Sequence, residues 1–444
     1  MQSLTVKKSG ALKGEITVPS DKSITHRAII IGSIANGASE VKGYLPSEDC
    51  LNTLKAMRCM GVDITEKGGL LAIKGGGLYG LKEPGDVIDV GNSGTSIRLL
   101  MGLLAPQSFF SVITGDPSIR RRPMMRVVGP LRIMGAQING RNEGNLAPIS
   151  ISGRRLSRIN YAMPVASAQV KSALLLAGLY ADGKGQITEP IRSRDHTERM
   201  LSFFGAKIAV SGSFVSIEGH GVLGAQKVEV PGDISSAAFF IVAATIIDGS
   251  EILIKGVGIN PTRNGLLDIL REMGADVRLE NERMSSGEPV SDIYVRSSRL
   301  KGIEIKGEII PRVIDEIPIL SVAAAMAEGE TVIRDAGELR VKETDRILTM
   351  VTELRRIGVS LEEMPDGLRI AGGRPMFGAA CSSHGDHRVA MSLAIAGLAA
   401  EGETTVEDTE CINTSFPGFK ETLRSLVDTH GLTRGYLPSE QSER

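Results

Sequence analysis

Cationic, hydroxyl and carboxylate residues of this chain are concentrated at a few turns. Lys22 and Ser23 are adjacent and Arg27 follows one helical turn on, so its guanidinium can reach back to an anion held by the first two. Asn92, Gly94 and Thr95 make a turn in which glycine lets backbone N–H groups approach a phosphate, and Arg122 stands directly before Pro123. Ser167 and Gln169 supply hydroxyl and amide hydrogen bonds without added charge. Lys342 and Arg346 are spaced to share one helical face, with Glu343 beside them, and Arg388 follows Asp386 and His387. Asp315 opens an apolar stretch. Such a set suits a site for heavily phosphorylated or carboxylated small molecules. Each group also has a plainer reading. A Lys/Arg helix start is often merely solvated, Asp315 can serve as a cap, and Arg120 with Arg121 reads as an exposed charge run.

The elements that must position these residues repeat along the chain. Small, acidic or hydroxyl residues run into an Ala/Leu/Ile-rich stretch of helix length at Ser23, Gly94, Ser167, Ser235, Asp315 and Asp386. Each junction predicts a strand-to-helix turn with a capped N-terminus, and such termini favour anions. A second signal runs in step with the first. Amphipathic helices are expected to stop at Gly61, Gly135, Gly205, Gly274 and Gly358, with a weaker copy at Gly431. A short hairpin should follow each, as in VDITEKGGLLAI. The unit reads as strand, apolar helix, strand, amphipathic helix and hairpin. A plain solenoid without chemistry is the bland alternative, but periods of ~20–50 residues are usual there and these units are longer.

Composition agrees with an α/β enzyme. At 444 residues the chain exceeds one comfortable core, so two domains are expected. A net charge of −1 and 4% aromatics argue against nucleic-acid binding. Cys50, Cys59, Cys381 and Cys411 show no metal or redox spacing and read as reduced thiols. The N-terminus has no apolar signal core and the longest apolar run, Ala237 to Ile247, is too short to span a bilayer. No membrane association and a cytoplasmic location are therefore expected, with the polar tail from Thr433 loose. No dinucleotide fingerprint or metal ligand set appears, so neither cofactor nor metal is expected. The strand ends TVPSDKS and EVPGDIS share one character and each precedes a long apolar helix. Read as crossovers, they divide the chain into residues 21–231 and residues 1–20 with 232–444.

The segments PSDKSITHR, GNSGTSIR, RRRPM, SAQVKSALLLAGL, RDHTERM, NPTR, IDEIPIL, RVKETDR, GDHRVAMS and TSFP, in that order from Lys13 to Pro417, make this chain resemble the 3-phosphoshikimate 1-carboxyvinyltransferase (EPSP synthase) family. SAQVK, RDHTE and NPTR resemble its class II branch. The resemblance implies a two-domain enolpyruvyl transferase fold of six βαβαββ units, three per domain, in an inside-out α/β barrel. It implies the joining of phosphoenolpyruvate to the 5-hydroxyl of shikimate 3-phosphate with release of phosphate, on the way to chorismate and aromatic amino acids.

By the same resemblance Lys22, Ser23, Arg27, Ser167, Ala168 (through its backbone), Gln169, Arg194, Asp315 and Lys342 bind shikimate 3-phosphate. Lys22, Gly94, Arg122, Gln169, Arg346 and Arg388 bind phosphoenolpyruvate. Asp315 becomes the base for the 5-hydroxyl, and Glu343 moves protons at the methylene carbon with help from Lys22. Arg98 is expected to add field without touching substrate. Glu316 is expected to point elsewhere, His196 to be structural, and Asp386 with His387 to orient Arg388. Glyphosate is the expected inhibitor and a monomer the expected state. Two departures stand out: Ser20 replaces a glycine before DKS, and Thr414 replaces a lysine of the class I branch, with Lys420 as a weak substitute. Two competitors remain. A sister enzyme transfers enolpyruvate to a UDP-linked amino sugar using a loop cysteine, which these four cysteines do not match. A non-catalytic anion-binding repeat protein would bind the ligands without releasing phosphate.

Overall fold

The structure, a computed structural model, describes residues 2–427. Its apolar helices begin at the polar junctions because a short polar side chain there meets the first free N–H groups. Asp21 accepts from the Ile24 N–H at the head of Lys22–Ser33, Ser93 from Ser96 before Gly94–Leu104, and Ser167 from Val170 before Ala168–Gly178. Asp233 and Asp386 cap Ile234–Ile246 and His387–Ala399. The fifth junction differs. Its helix, Ile317–Met326, has Pro318 in the first turn and follows a short helix Ile310–Val313, and no side chain caps it. Asp315 is thus not spent as a cap.

The glycine signal also has its structural counterpart. Gly61, Gly135, Gly205, Gly274 and Gly358 follow amphipathic helices with φ from 83° to 100°, a region other residues adopt only with strain. Hairpins come next, such as Asp63–Lys67 with Leu70–Gly76 and Gln137–Arg141 with Leu146–Ser152. The copy expected at Gly431 and the tail from Thr433 lie outside the described residues.

Each hairpin completes a four-stranded sheet with a parallel pair, as where Ile88–Asp89 lies parallel to Phe110–Thr114. Two sheets take their first strand from a remote part of the chain, next to a crossing. Lys227–Glu229 lies parallel to Asn36–Lys42, and Lys13–Thr17 parallel to Glu251–Gly258. In the sixth sheet Leu4–Lys7 pairs antiparallel with Glu403–Glu407, which lies parallel to Ala380–Ser382. The fold is mixed α/β, with repeated βαβ units in two domains.

Apolar side chains collect into two cores. One draws on residues between Ile24 and Val230, the other on Leu4 to Val18 and Ile234 to Val427. The two crossing segments hydrogen-bond to each other: the Asp21 N–H donates to the Pro231 carbonyl and the Asp233 N–H to that of Pro19, both at 2.8 Å. Among the described residues no helix is long and apolar enough to cross a membrane.

Candidate active site

Helix starts from both cores meet in one cleft, and the first core contributes cations held by neutral groups. Arg27 donates from Nε to Thr197 Oγ1 at 2.6 Å, from Nη2 to Ser172 Oγ at 2.9 Å, and from Nη1 to the Ser23 carbonyl at 2.9 Å. Burial pushes its guanidinium down to about 10, still charged at neutral pH, with Glu198 and Asp21 opposing the fall. Ser23, Ser167, Ala168 and Gln169 stand half-buried at the two helix starts. Gln169 Oε1 accepts from Arg98 Nη1 at 2.6 Å while its Nε2 donates to Thr95 Oγ1 at 3.1 Å. Arg122 donates to Asn92 Oδ1 at 2.7 Å. A methyl group on Gly94 would stand 3.0 Å from Arg98 Nη1 and 3.1 Å from Arg122 Nη1. A side chain here would press on the two guanidinium groups that close over the helix start.

Lys22 is held differently, because Asp49 Oδ2 lies 3.1 Å from its Nζ. Burial lowers its pKa, but Asp49 and then Glu343 more than restore it, so Lys22 stays a cation. That favours holding an anion over giving up a proton.

The second core presents a lattice of paired charges. Arg346 reaches Asp386 Oδ2 at 2.7 Å, Glu343 Oε2 at 2.7 Å and Asp315 Oδ1 at 3.3 Å. Lys342 Nζ lies 3.4 Å from the same Asp315 oxygen, and Arg388 donates to the Asp315 carbonyl at 3.1 Å. From the first core, Arg194 pairs with Asp315 and Arg122 Nη1 comes within 3.7 Å of Glu343 Oε1. Burial pushes the Asp315 carboxyl up, yet Lys342, Arg194, Arg388 and Arg346 together hold it well below the carboxylate range. Glu343 behaves alike: burial opposes ionisation, but Arg346 and Arg122 keep it far down. Burial drives His387 to about 3, with Lys22 adding to the fall, so it is neutral.

Several expectations need correcting. Lys342 and Arg346 do not share a helical face. Asp345 caps the helix by accepting from the Leu348 N–H at 3.0 Å, so the helix starts at Arg346 and leaves Lys342 in the preceding turn. Asp386 grips Arg346 rather than the Arg388 side chain. Arg388 Nη1 instead lies 3.6 Å from Glu316 Oε1. Glu316 does not point away: it is buried, hydrogen-bonded by Ser235, and 3.8 Å from Arg263. Arg98 touches Gln169, closer in than expected. Lys420 is exposed on Phe419–Leu426, and Thr414 turns its hydroxyl to the Cys411 carbonyl at 2.8 Å. Arg120 and Arg121 are exposed, and His196 is buried against Glu288.

Arg98 was legible from the repeat itself. Four residues beyond the junction residues Ser23, Gly94 and Ser167 stands a cation each time: Arg27, Arg98 and Lys171. The third is neutralised, since Lys171 Nζ lies 2.6 Å from Glu189 and 2.7 Å from Glu198, all buried. Glu316 and Arg263 carried no comparable local signal, because they pair across repeats.

The cations of these faces suit multiply charged anions, and Asp315 and Glu343 between them are groups that can take up or return protons. Such a set of cations and carboxylates in a six-repeat, two-core α/β protein marks a site for small anionic molecules with acid–base groups at hand. The family model described as EPSP synthase (3-phosphoshikimate 1-carboxyvinyltransferase) matches residues 6–423, and the chain belongs to that family. It is 59% identical over 427 residues to a 3-phosphoshikimate 1-carboxyvinyltransferase of Geobacter metallireducens, covering 96% of this chain and all of the relative. A protein of the same description from Geobacter sp. strain M21 is 56% identical with the same coverage. A solved structure of EPSP synthase from Acinetobacter baumannii superposes with a TM-score of 0.87 at 47% identity, covering 96% of this chain and 98% of that one.

Proposed function

We propose that the protein transfers the enolpyruvyl group of phosphoenolpyruvate to the 5-hydroxyl of shikimate 3-phosphate, giving 5-enolpyruvylshikimate 3-phosphate and phosphate. The observation that carries this reading is Asp315, a carboxylate left free of capping duty and held among Arg194, Lys342, Arg346 and Arg388. So depressed a carboxylate is a weak base while the cleft is empty. A bound dianion competes for Arg194 and Lys342, and Asp315 regains basicity as the hydroxyl arrives. Glu343 is tuned in the same way, because an anion drawn to Arg122 and Arg346 releases it to exchange a proton with the methylene carbon. Lys22 acts as the cation shared by both substrates.

Shikimate 3-phosphate is assigned to Lys22, Ser23, Arg27, Ser167, Ala168, Gln169, Arg194, Asp315 and Lys342. Phosphoenolpyruvate takes Lys22, Gly94, Arg122, Gln169, Arg346 and Arg388. Residues 21–231 form one domain and residues 1–20 with 232–444 the other, in keeping with the two cores. RDHTE and NPTR favour the class II branch, and a cytoplasmic monomer is proposed. Release of phosphate from phosphoenolpyruvate, measured by a coupled assay, should require shikimate 3-phosphate. A UDP-linked amino sugar supporting release in its place would turn the reading to the sister enzyme, and binding without release would make the protein a non-catalytic binder. Glyphosate should compete with phosphoenolpyruvate. Gly94→Ala must push on Arg98 and Arg122, so it should weaken glyphosate more than substrate, by about tenfold for ~1.4 kcal/mol of overpacking. An unchanged ratio of the inhibition constant to the Michaelis constant would remove Gly94 from inhibitor selection.

A further inference from the structure

The NPTR turn, residues Asn260 to Arg263, touches neither the shikimate 3-phosphate nor the phosphoenolpyruvate residues assigned above, yet its polar side chains are buried. They connect in two directions. Toward the first core, Asn260 Nδ2 donates to Asp195 Oδ1 at 2.7 Å and to Glu288 Oε2 at 2.8 Å. The amide orientation is fixed because Asn260 Oδ1 accepts from the Thr262 N–H at 2.9 Å and its hydroxyl at 2.8 Å. Thr262 Oγ1 in turn accepts from the Asp195 N–H at 3.3 Å. Asp195 is further held by Arg192 and Arg199, each at 2.8 Å, and Glu288 by His196 Nδ1 at 2.8 Å. One amide thus bridges two buried carboxylates, one from each core.

Toward the second core, Arg263 lies 3.4 Å from Asp233 Oδ1, hydrogen-bonds Ser235, and stands 3.8 Å from Glu316 Oε1. Asp195 follows Arg194 in the chain, and Glu316 follows Asp315. The same four-residue turn therefore locates the neighbour of each partner in the Arg194–Asp315 pair that spans the cleft.

We propose that the Asn260–Arg263 turn is a positioning element, a joint that sets Arg194 against Asp315 and so governs how shikimate 3-phosphate is gripped and deprotonated. Asn260, Thr262 and Arg263 act through their neighbours, not on substrate. Both carboxylates at the joint are buried, so an unbridged pair would repel and swing the Arg192–Asp195 segment away from the second core. Arg122, Gly94 and Arg346, which serve phosphoenolpyruvate, are not held by this turn, and Arg388 meets it only through Glu316 and Arg263, away from Asn260 and Thr262. A displaced Arg194 should therefore be felt by one substrate and not the other.

The proposal rests on the function reading above, and the test separates the two. Phosphate release by the unaltered protein is measured first, and its absence would sink the function, not the joint. Thr262→Val keeps the shape and removes the hydroxyl, Thr262→Ser restores the hydroxyl, and Asn260→Ala removes the bridge. Asn260→Ala should raise the KM for shikimate 3-phosphate about tenfold or more, the scale of lost hydrogen bonds to charged groups. The KM for phosphoenolpyruvate should stay within about threefold. Thr262→Val should show a smaller shift of the same selectivity, and Thr262→Ser should return close to the unaltered value. Equal shifts for both substrates, or a serine variant as impaired as the valine variant, would overturn the positioning role and leave the turn merely structural. Should Asn260→Ala fail to fold, the two Thr262 variants decide alone.

Discussion

Arg27 and Arg346 are both buried guanidinium groups near the start of a cleft-facing helix, and they are held in opposite ways. Arg27 rests on two hydroxyls and a carbonyl, whereas Arg346 meets Asp386, Glu343 and Asp315. Burial therefore drags the first to about 10, while for the second the three carboxylates overcome burial and raise it. The contrast extends over both halves of the cleft. In the first, Arg98 and Arg122 also lean on amides and hydroxyls, and Arg122 reaches a carboxylate only across the cleft, at Glu343 3.7 Å away. In the second, Arg263 and Arg346 are neutralised before any substrate arrives. A half with spare charge draws in an anion; a half of matched charges holds its acid–base groups still. The junction pattern shows the same division, because four residues beyond Ser23, Gly94 and Ser167 stand Arg27, Arg98 and Lys171, whereas four beyond Ser235, Asp315 and Asp386 stand Phe239, Ile319 and Ala390.

The largest effect expected concerns the matched half. Asp315→Asn keeps the size of the side chain but cannot accept the hydroxyl proton, so turnover should fall by ~10²–10⁴-fold. Calorimetric binding of shikimate 3-phosphate should persist, since Ser23, Arg27, Ser167 and Gln169 do not lean on Asp315. Near-normal turnover would remove Asp315 from the chemistry. Glu316→Ala is a poor control for this experiment, because it strips a buried partner from Arg263 and Arg388. Asp268→Asn, at an exposed pair with Arg312, is the better one.

Paired substitutions of the two arginines sharpen the contrast. Arg27→Gln removes a cation whose partners are neutral, so stability should change little while the KM for shikimate 3-phosphate rises. Loss of ~1.5–3 kcal/mol of charge-assisted hydrogen bonding corresponds to roughly ten- to over a hundredfold. Arg346→Gln leaves Asp386 buried without its partner, and thermal or urea unfolding should register a loss of ~3–5 kcal/mol. Equal destabilisation by the two variants would show that the halves are not held differently.

Much of this division could be read in the sequence, and the part that could not has a physical cause. Caps and glycine stops act within a few residues, so the starts at Asp21, Ser93, Ser167, Asp233 and Asp386 and the stop at Gly61 follow from local chemistry. The residues at Lys22, Gly94, Arg122, Asp315 and Arg388 sit at those same turns. Glu316, Arg263 and Asp49 escaped because each finds its meaning in a partner from another repeat or helix. Lys342 was misplaced for the opposite reason: a local cap, Asp345, cut the helix one turn shorter than the spacing suggested. The borrowed strands Lys13–Thr17 and Lys227–Glu229 likewise depend on a crossover that spacing alone does not pair.

Acid should separate the halves in a smaller but measurable way. Asp315, Glu343 and Asp386 all have folded-state pKa values below the ordinary range, pulled there by Arg346 and its neighbours against burial. Groups lowered on folding stabilise fully above about pH 5 and lose that contribution as pH falls through their folded values. Hydrogen exchange should therefore lose protection over His387–Ala399 and Arg346–Arg356 before Gly94–Leu104 as pH drops below about 4. Simultaneous loss would mean that the matched charges do not set acid stability.

The smallest effect belongs to the rim, where the two halves also touch. Arg126 Nη1 lies 2.9 Å from Glu338 Oε1, with the two side chains 48% and 46% exposed, while Arg194 and Asp315 in the cleft are 18% and 11% exposed. Water and counter-ions screen the rim pair, so it contributes about 0–1 kcal/mol to bringing the halves together. Screening acts over ~8 Å at physiological ionic strength and ~3 Å at 1 M salt, which leaves the rim pair little at the higher concentration. Glu338→Gln should raise the KM for shikimate 3-phosphate by no more than about fivefold at low salt, and the difference should vanish at about 1 M. Arg194→Gln should cost more at both, because the partner it abandons is shielded from salt. A Glu338 effect that outlasted high salt would move the rim pair into the working cleft. An Arg194 effect erased by salt would break the distinction between a screened edge and a buried centre.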